Sequence, residues 1–365
     1  MKTVGIITMH RPISYGSALQ AYATLRTIEK MGYDAEIIDY QYPNDIHFKK
    51  SKNAFGTIKS FLENMFFGFP NVEKERKFKD FYNVFYKMSN YYPTRKSLEE
   101  NPPEYDIYVT GSDQVWNTKF IKDDTTFLLS FVPEGKKRVA FSSSFAHSQF
   151  DENYAELFRK YLTKYEKISV RELSGVEIVK NLTGQNADHV CDPTLLLDKE
   201  EWNVVEEKSD LKIKEPYILI FMLCYSFNPY PQAKHIIKEI QKQLKLKVIY
   251  LDGVKENYLE PNSKVIKNAG PSDFLHLIRN ASYVITDSFH GTLFSILFNI
   301  PFTSIVNPQN TDSRVTNFLK RIGMEKNALP FDAMDVAVNE INNNLEEIKR
   351  FRDNSHEILK KILNE

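Results

Sequence analysis

The sequence predicts an α/β protein of two tandem domains, each a parallel sheet covered by helices on both faces. Three observations carry that prediction. Strand-like apolar runs alternate with helix-length runs along most of the chain. The length, 365 residues, exceeds what one hydrophobic core usually organises. Apolar residues make up 42% of the chain and charged residues 26%, with no low-complexity tract, so the whole chain is expected to fold.

The opening segment, Met1 to Thr8, is too short and too quickly interrupted by polar residues for a secretory signal, and reads as a buried first strand. A helix is expected from Ser17 to Met31, with Gly32 where a C-terminal cap belongs, followed by a strand from Ala35 to Asp39. Strands at Ile107–Thr110, Arg138–Phe141, Lys167–Val170 and His189–Cys191 would complete a Rossmann-like domain over residues 1–205. A second series follows the charged stretch Glu206–Glu215, with strands at Tyr217–Met222, Lys247–Leu251, Tyr283–Thr286 and Phe302–Ile305. Its helices are expected at Pro231–Leu244, Pro271–Asn280 and Gly291–Phe298, which sets a second Rossmann-like domain at 206–335. The closing helix, about Val336–Leu363 within 336–365, is expected to cross back to the first domain. Two such domains in tandem point to a glycosyltransferase-B-like architecture with the active site in an interdomain cleft. Ligands of open parallel sheets sit at the carboxyl ends of strands, so the loops there are the ones to search.

An insertion at about 46–100 interrupts the alternation. Phe55, Ile58, Phe61, Leu62, Met65 and Phe66 recur at helical spacing, with Lys49, Lys50, Lys52 and Lys59 nearby. The favoured reading is a helical insertion packed on the first domain, since aromatic stripes usually mark core. The other reading is a helix lying on a membrane surface, its lysines at anionic headgroups.

Lys plus Arg and Asp plus Glu both total 48, so no global field draws the chain to nucleic acid. Cys191 and Cys224 fit neither a zinc motif nor a redox pair and read as reduced core thiols. Nothing approaches the roughly 18 uninterrupted apolar residues of a membrane span. The expectation is a cytoplasmic protein, with peripheral contact at the inner face of the cell membrane as the variant that the insertion raises. No metal spacing, nucleotide P-loop or dinucleotide fingerprint is present, so neither metal nor cofactor is expected.

The most informative loop runs from Ile285 to Thr292, between a buried strand and an apolar helix. Backbone amides at a helix N-terminus point outward and carry partial positive charge, which makes such a turn an anion site. Gly291 would permit close approach of a ligand, and His290 can carry a proton near neutral pH.

This turn, Asp287-Ser288-Phe289-His290-Gly291-Thr292, is one of several blocks that together resemble the polysaccharide pyruvyl transferase family. The others are Tyr15 to Tyr22, Tyr108 to Asn117 with its Gly-Ser-Asp-Gln-Val-Trp-Asn core, Phe141 to Ala146, Ser169 to Glu172 and Cys191 to Leu195. They span most of the chain in family order. The resemblance implies an enzyme that moves pyruvate from phosphoenolpyruvate onto two hydroxyls of one sugar, forming a cyclic ketal. Phosphoenolpyruvate would then be a co-substrate, and the acceptor a sugar in a glycan or a lipid-linked saccharide.

That reaction needs an acid, a base, and cationic or amide contacts for a phosphate and a carboxylate. His290 is the candidate acid or proton shuttle. Arg171, ending a predicted strand, is the candidate bidentate clamp, and Asp113 the candidate base. Ser288, Gly291, Thr292 and Arg314 are assigned to the donor, in the second domain. Some relatives carry a basic residue two positions before the histidine where this chain has Ser288, and Arg314 is the candidate compensation, its other reading being a pair with Asp312. Ser17, Gln20, Gln114, Trp116, Asn117 and Ser144 are assigned to the acceptor. Two readings stay open there: Ser17 lines the site or only caps its helix, and Trp116 is a carbohydrate platform or a buried anchor of a structured turn. His10 and Arg11 in the first loop are further candidates. The alternatives are a nucleotide-sugar glycosyltransferase of the same architecture and a non-catalytic carbohydrate-binding protein.

Overall fold

The computed structural model describes residues 1–41, 70–252, 254–310, 314–340 and 345–365. They form two compact units. The first takes its described residues from Met1–Lys52, Tyr82–Leu197 and Lys349–Glu365, the second from Asn53–Phe81 and Asp198–Ile348.

The first unit is built on seven strands: β1 (Thr3–Ile7), β2 (Asp34–Tyr40), β3 (Met88–Tyr92), β4 (Ile107–Thr110), β5 (Lys137–Ser143), β6 (Lys167–Val170) and β7 (Asp188–His189). They pair in parallel in the order β3-β2-β1-β4-β5-β6-β7. The second unit carries β8 (Tyr217–Phe221), β9 (Lys247–Leu251), β10 (Lys264–Ile266), β11 (Tyr283–Thr286), β12 (Phe302–Val306) and β13 (Ala328–Pro330). Their order is β10-β9-β8-β11-β12-β13, again parallel throughout. Both units are therefore Rossmann-like, in keeping with the glycosyltransferase-B-like plan. Strands β4 and β8 are buried along their whole length, as strands covered by helices on both faces must be.

In each sheet the first strand lies between its successor and a later strand, so the chain leaves it in opposite directions on its two sides. Loops at the carboxyl ends of such neighbours diverge and leave a crevice. In the first unit these are the loops after β1 and β4; in the second, those after β8 and β11.

Three strands have no counterpart in the sequence prediction. Strand β3 is polar and only partly buried, β10 has three residues, and β13 ends in a proline, so none shows an apolar run or a clean alternation. The first helix, Tyr15–Lys30, begins two residues earlier than expected because Ser14 caps it. The closing helix is Leu345–Asn364. The chain near its expected start is not helical, and Val336 and Val338 pack instead against the core of the second unit.

Of the expected insertion, the aromatic stripe from Phe55 to Phe66 and its four lysines lie outside the described residues. The described part, residues 70–100, corrects the expectation of a wholly helical insertion: it forms a helix, Pro70–Phe85, in which Phe78 and Phe81 are buried, then strand β3, which pairs with β2, and a short helix, Arg95–Glu100. Among the described residues no helix is long and apolar enough to cross a membrane.

Candidate active site

In the first unit the crevice loops are joined by side chains. Ser14 takes the capping role by accepting from the Ser17 amide, which leaves the Ser17 hydroxyl to donate to Asp113 Oδ2 at 2.5 Å. The simple-cap reading of Ser17 is thereby corrected. Gln20, one turn on and fully buried, donates from Nε2 to Thr8 Oγ1 and to the Ser17 carbonyl, each at 3.0 Å. Its Oε1 is buried with no hydrogen-bond partner among the described residues.

Asp113 follows β4 with φ of 71°, a left-handed conformation uncommon for a side chain with a Cβ. A bridge to Ser143 and the Gln114 amide, which donates to Oδ1 at 2.8 Å, hold it there. Ser142 and Ala146, at and just beyond the end of β5, also have positive φ. Strained backbone persists only where surrounding structure over-determines it, and it gathers at ligand sites.

Trp116 is 0% exposed. Its Nε1 donates to the Phe127 carbonyl at 3.1 Å, and its ring packs against Phe145 and Tyr165. It anchors the turn, and the platform assignment is corrected: no face of the ring is open to a sugar. Asn117 is buried too, capping the short helix Thr118–Ile121 and donating to Gln114 Oε1. Gln114 alone of this set is partly exposed.

Arg171 does follow β6, but its side chain is only 1% exposed, with Nη1 donating to Asp192 Oδ2 at 2.5 Å. Burial disfavours the charged guanidinium; the fields of Asp192, Glu172 and Asp113 outweigh that and raise its pKa. Asp192 is itself fixed, its Oδ1 accepting from the amide and hydroxyl of Thr194. The expectation of a clamp at an open strand end is thus replaced by an arginine in a buried ion pair, a fixed positive charge among three carboxylates.

Glu172, which sequence reasoning did not single out, is the neighbour that matters. Its Oε1 accepts from the Ser144 hydroxyl and lies 3.9 Å from Arg171 Nε, while Oε2 is buried with no hydrogen-bond partner among the described residues. Both oxygens of Asp113, by contrast, already hold donors. The signals in the sequence were its position, directly after a strand end, and its place in the Ser169 to Glu172 block. Ser17, Asp113, Ser144, Arg171 and Glu172 thus converge at the carboxyl ends of β4 to β6.

A second cluster joins the loop after β1 to the last residues of β2 and β3. Arg11 grips Asp39 through Nε at 2.6 Å and Nη2 at 2.5 Å and stacks over the Tyr91 ring, while His10 Nε2 meets Asp39 Oδ1 at 3.0 Å. Burial pushes the Asp39 pKa up, but the His10 and Arg11 bonds outweigh it and hold it below its ordinary 3.8. A depressed carboxylate stabilises the fold above its unfolded pKa and loses that contribution as pH falls through the folded one. Asp39→Asn should therefore be less stable than wild type at neutral pH, with the difference shrinking below about pH 4 in denaturant titrations.

In the second unit, Ser288 caps the helix Phe289–Phe298 by accepting from the Gly291 amide at 3.2 Å. Asp287 accepts from the amides of Leu223 (2.6 Å) and Cys224 (2.8 Å), tying this turn to the loop after β8; burial still outweighs those bonds and raises its pKa. His290 is partly buried at the head of the helix with its ring edge-on to Phe289, and the Arg314 guanidinium lies 5.6 Å from the centre of the Phe289 ring. A histidine and an arginine thus flank one aromatic ring at a helix N-terminus. Asp312, the other partner considered for Arg314, lies outside the described residues.

Two assignments in this turn are corrected. Thr292 is fully buried and spends its hydroxyl on the Ser288 carbonyl and Ser304. Gly291 faces the sheet: a Cβ there would lie 2.6 Å from Thr286 Oγ1, which is pinned between the Phe221 carbonyl and the Ser288 amide. Close packing against β11, not ligand approach, demands the glycine. Gly291→Ala should cost about 1–3 kcal/mol, readable in the denaturation midpoint.

Burial is the main cause raising the pKa of both cysteines, to about 12 for Cys191 and about 11 for Cys224, so neither is a reactive thiolate. Among the described residues no group of three His, Cys, Asp or Glu side chains is placed to hold a metal ion.

The family described as polysaccharide pyruvyl transferase matches residues 15–309, most of the chain. No curated protein matches it. Among solved structures, the UDP-GlcNAc 2-epimerase of Methanocaldococcus jannaschii is similar with a TM-score of 0.54 at 14% identity, over 100% of this chain and 99% of that one. The UDP-GlcNAc 2-epimerase of Neisseria meningitidis bound to UDP-GlcNAc has a TM-score of 0.53 at 9% identity, over 100% and 99%. UGT89C1 of Arabidopsis thaliana has 0.50 at 10% identity, over 99% of each chain. At these identities the likeness is one of fold.

Proposed function

The chain belongs to the polysaccharide pyruvyl transferase family, and on that premise we propose that it transfers pyruvate from phosphoenolpyruvate to two hydroxyls of one sugar as a cyclic ketal. The acceptor in this reading is a glycan or a lipid-linked saccharide met in the cytoplasm, at the inner face of the membrane when lipid-linked. The observation that supports it most is the His290 turn, where a helix N-terminus, an imidazole and the Arg314 guanidinium gather around Phe289. Such a set suits a small molecule bearing phosphate and carboxylate.

In the proposed sequence His290 delivers a proton to the methylene carbon of phosphoenolpyruvate, turning it into a methyl group and leaving an oxocarbenium-like centre at C2. One sugar hydroxyl attacks that carbon and gives up its proton, phosphate departs, and the second hydroxyl closes the ring with loss of its own proton. Amides at the head of the helix and Arg314 hold the anionic groups. Within the first unit, Glu172 Oε2, a buried carboxylate oxygen with no hydrogen-bond partner among the described residues, is our choice for a group that accepts a proton from a bound sugar. Ser17 fixes Asp113, and Asp192 fixes Arg171, as positioning pairs. Gln114 is the partly exposed side chain left to contact the acceptor.

The test is product release. Purified protein with phosphoenolpyruvate and a panel of free and lipid-linked saccharides should release phosphate only when a sugar acceptor is present, with a ketal methyl signal appearing in the product. Release of nucleotide from a nucleotide-sugar donor, with no phosphate from phosphoenolpyruvate, would overturn the reading in favour of glycosyl transfer. Saccharide binding without either release would make the chain a binding protein.

A further inference from the structure

The closing helix, Leu345–Asn364, is unused by the proposed reaction, yet two of its buried side chains reach toward the peptides that carry the charged residues of the first-unit site. Ser355 is 0% exposed, and Phe351, one turn earlier on the same face, is buried as well. At the sheet edge the Val190 amide bonds the Val170 carbonyl of β6 at 3.0 Å, as a strand residue does. The next amide, that of Cys191, donates instead to the Ser355 hydroxyl at 2.9 Å. That hydroxyl in turn donates to the Phe351 carbonyl at 2.7 Å, which leaves its lone pairs for Cys191. The Cys191 carbonyl accepts from the Ser142 hydroxyl at 2.9 Å, so the peptide that leads into Asp192 is held as well.

A second route reaches the other side of the ion pair. The Arg171 amide donates to the Ser143 carbonyl at 3.1 Å. The Arg171 carbonyl, part of the peptide between Arg171 and Glu172, accepts from His189 Nε2 at 3.1 Å. A carbonyl only accepts, so this nitrogen carries a hydrogen. The imidazole thereby sets the direction in which the Glu172 side chain leaves the backbone. It is itself backed by Phe351 of the closing helix, with ring centres 5.1 Å apart.

The groups so aimed leave little room for error. Asp192 Oδ2 meets Arg171 Nη1 at 2.5 Å, while Glu172 Oε1 lies 3.9 Å from Arg171 Nε. A shift of about 1 Å turns a bonded contact into an unbonded one, and misplacement of that size at a reacting group can cost about 10²-fold in rate. We infer that Ser355 and His189 are positioning residues of the first-unit site. Ser355 acts through the backbone of Cys191 to hold Asp192 against Arg171, and His189 acts through the Arg171–Glu172 peptide to aim the Glu172 carboxylate. The effect on turnover rests on the transferase reading; the hold on the ion pair does not.

Two double-variant cycles on the full chain test this, one of them without any assay of activity. In urea, Asp192→Asn should lower the midpoint, and should lower it less when Ser355→Ala is already present, because the pair is then already loosened. In phosphate release from phosphoenolpyruvate, His189→Phe keeps a ring against Phe351 and removes the donor. It should lower kcat about tenfold, with the KM for phosphoenolpyruvate unchanged. Added to Glu172→Gln it should subtract nothing from the residual rate, whereas a role confined to stability would lower the rate equally in both backgrounds. His189→Gln, whose amide nitrogen reaches the place of Nε2, should restore most of the lost kcat. Additive effects in either cycle, or a His189→Gln variant as slow as His189→Phe, overturn the proposal. A wild type that releases no phosphate with any acceptor would remove the transferase reading, and the urea cycle then decides the positioning claim by itself.

Discussion

His290→Ala should lower turnover about 10²- to 10⁴-fold while leaving the protein folded, the range typical for removal of a positioned proton-transfer group. The fold should survive because the ring is only partly buried and its aromatic contact is an edge-on approach to Phe289. The helix start does not depend on it, since Ser288 supplies the cap and Asp287 the tie to the β8 loop. The loss should fall on kcat, with the apparent affinity for phosphoenolpyruvate changed little, because the proposed reaction assigns the anion contacts to Arg314 and the helix amides. A variant with wild-type kcat, assayed with an acceptor that supports turnover, would remove His290 from the reaction. A variant whose phosphoenolpyruvate affinity collapses with kcat intact would make it a binding residue instead. Glu172→Gln provides the comparison within the first unit: it keeps an acceptor for Ser144 and removes the basic oxygen, so it too should act on kcat.

How far the sequence revealed these sites depended on the range of the interactions. Strands β4, β8 and β11 were legible because each opens on at least three consecutive apolar residues, the kind of run that two-sided burial requires. The short or polar β3, β10 and β13 carry no such pattern, and pairing with a neighbour, not local preference, makes them strands. The His290 turn was legible because a strand end, a cap and an apolar helix follow one another in sequence. What Gly291 is for was not, since its neighbours are Thr286 and Phe221, and only the packed structure shows that a Cβ would strike them.

The first-unit cluster was harder to read for the same reason. Ser17 and Asp113 are 96 positions apart, and their hydrogen bond has no local signature. Trp116 had two equal readings because its pattern fits a platform or an anchor equally well, and burial alone decides between them. Arg171 was placed correctly at the end of a strand, but Asp192, which engages it, comes from the other side of a helix and a short strand. Glu172 stands out only once the partners of each neighbouring carboxylate have been counted.

Asp192→Ala should destabilise the protein by about 3–5 kcal/mol, the cost of leaving one member of a buried ion pair without the other. Arg171 cannot escape by losing its proton, because guanidinium stays charged in proteins. It cannot readily reach water either, with its side chain 1% exposed, and Glu172 Oε1 at 3.9 Å from Nε is a weaker partner. The substitution also removes the acceptor for the amide and hydroxyl of Thr194, which adds to the loss. Against a usual folding stability of about 5–15 kcal/mol this is a large fraction, and urea denaturation should show a midpoint well below wild type with a similar slope. The double variant Arg171→Met, Asp192→Leu separates charge from packing. Replacing both members by apolar side chains of similar bulk should recover much of the stability, since the desolvation cost disappears with the charges. That recovered protein should nonetheless turn over poorly, because Glu172 and Asp113 would have lost the positive charge held beside them. Full stability in the Asp192→Ala single variant would show that the pair contributes nothing to the fold. Full activity in the stable double variant would show that Arg171 has no part in the reaction.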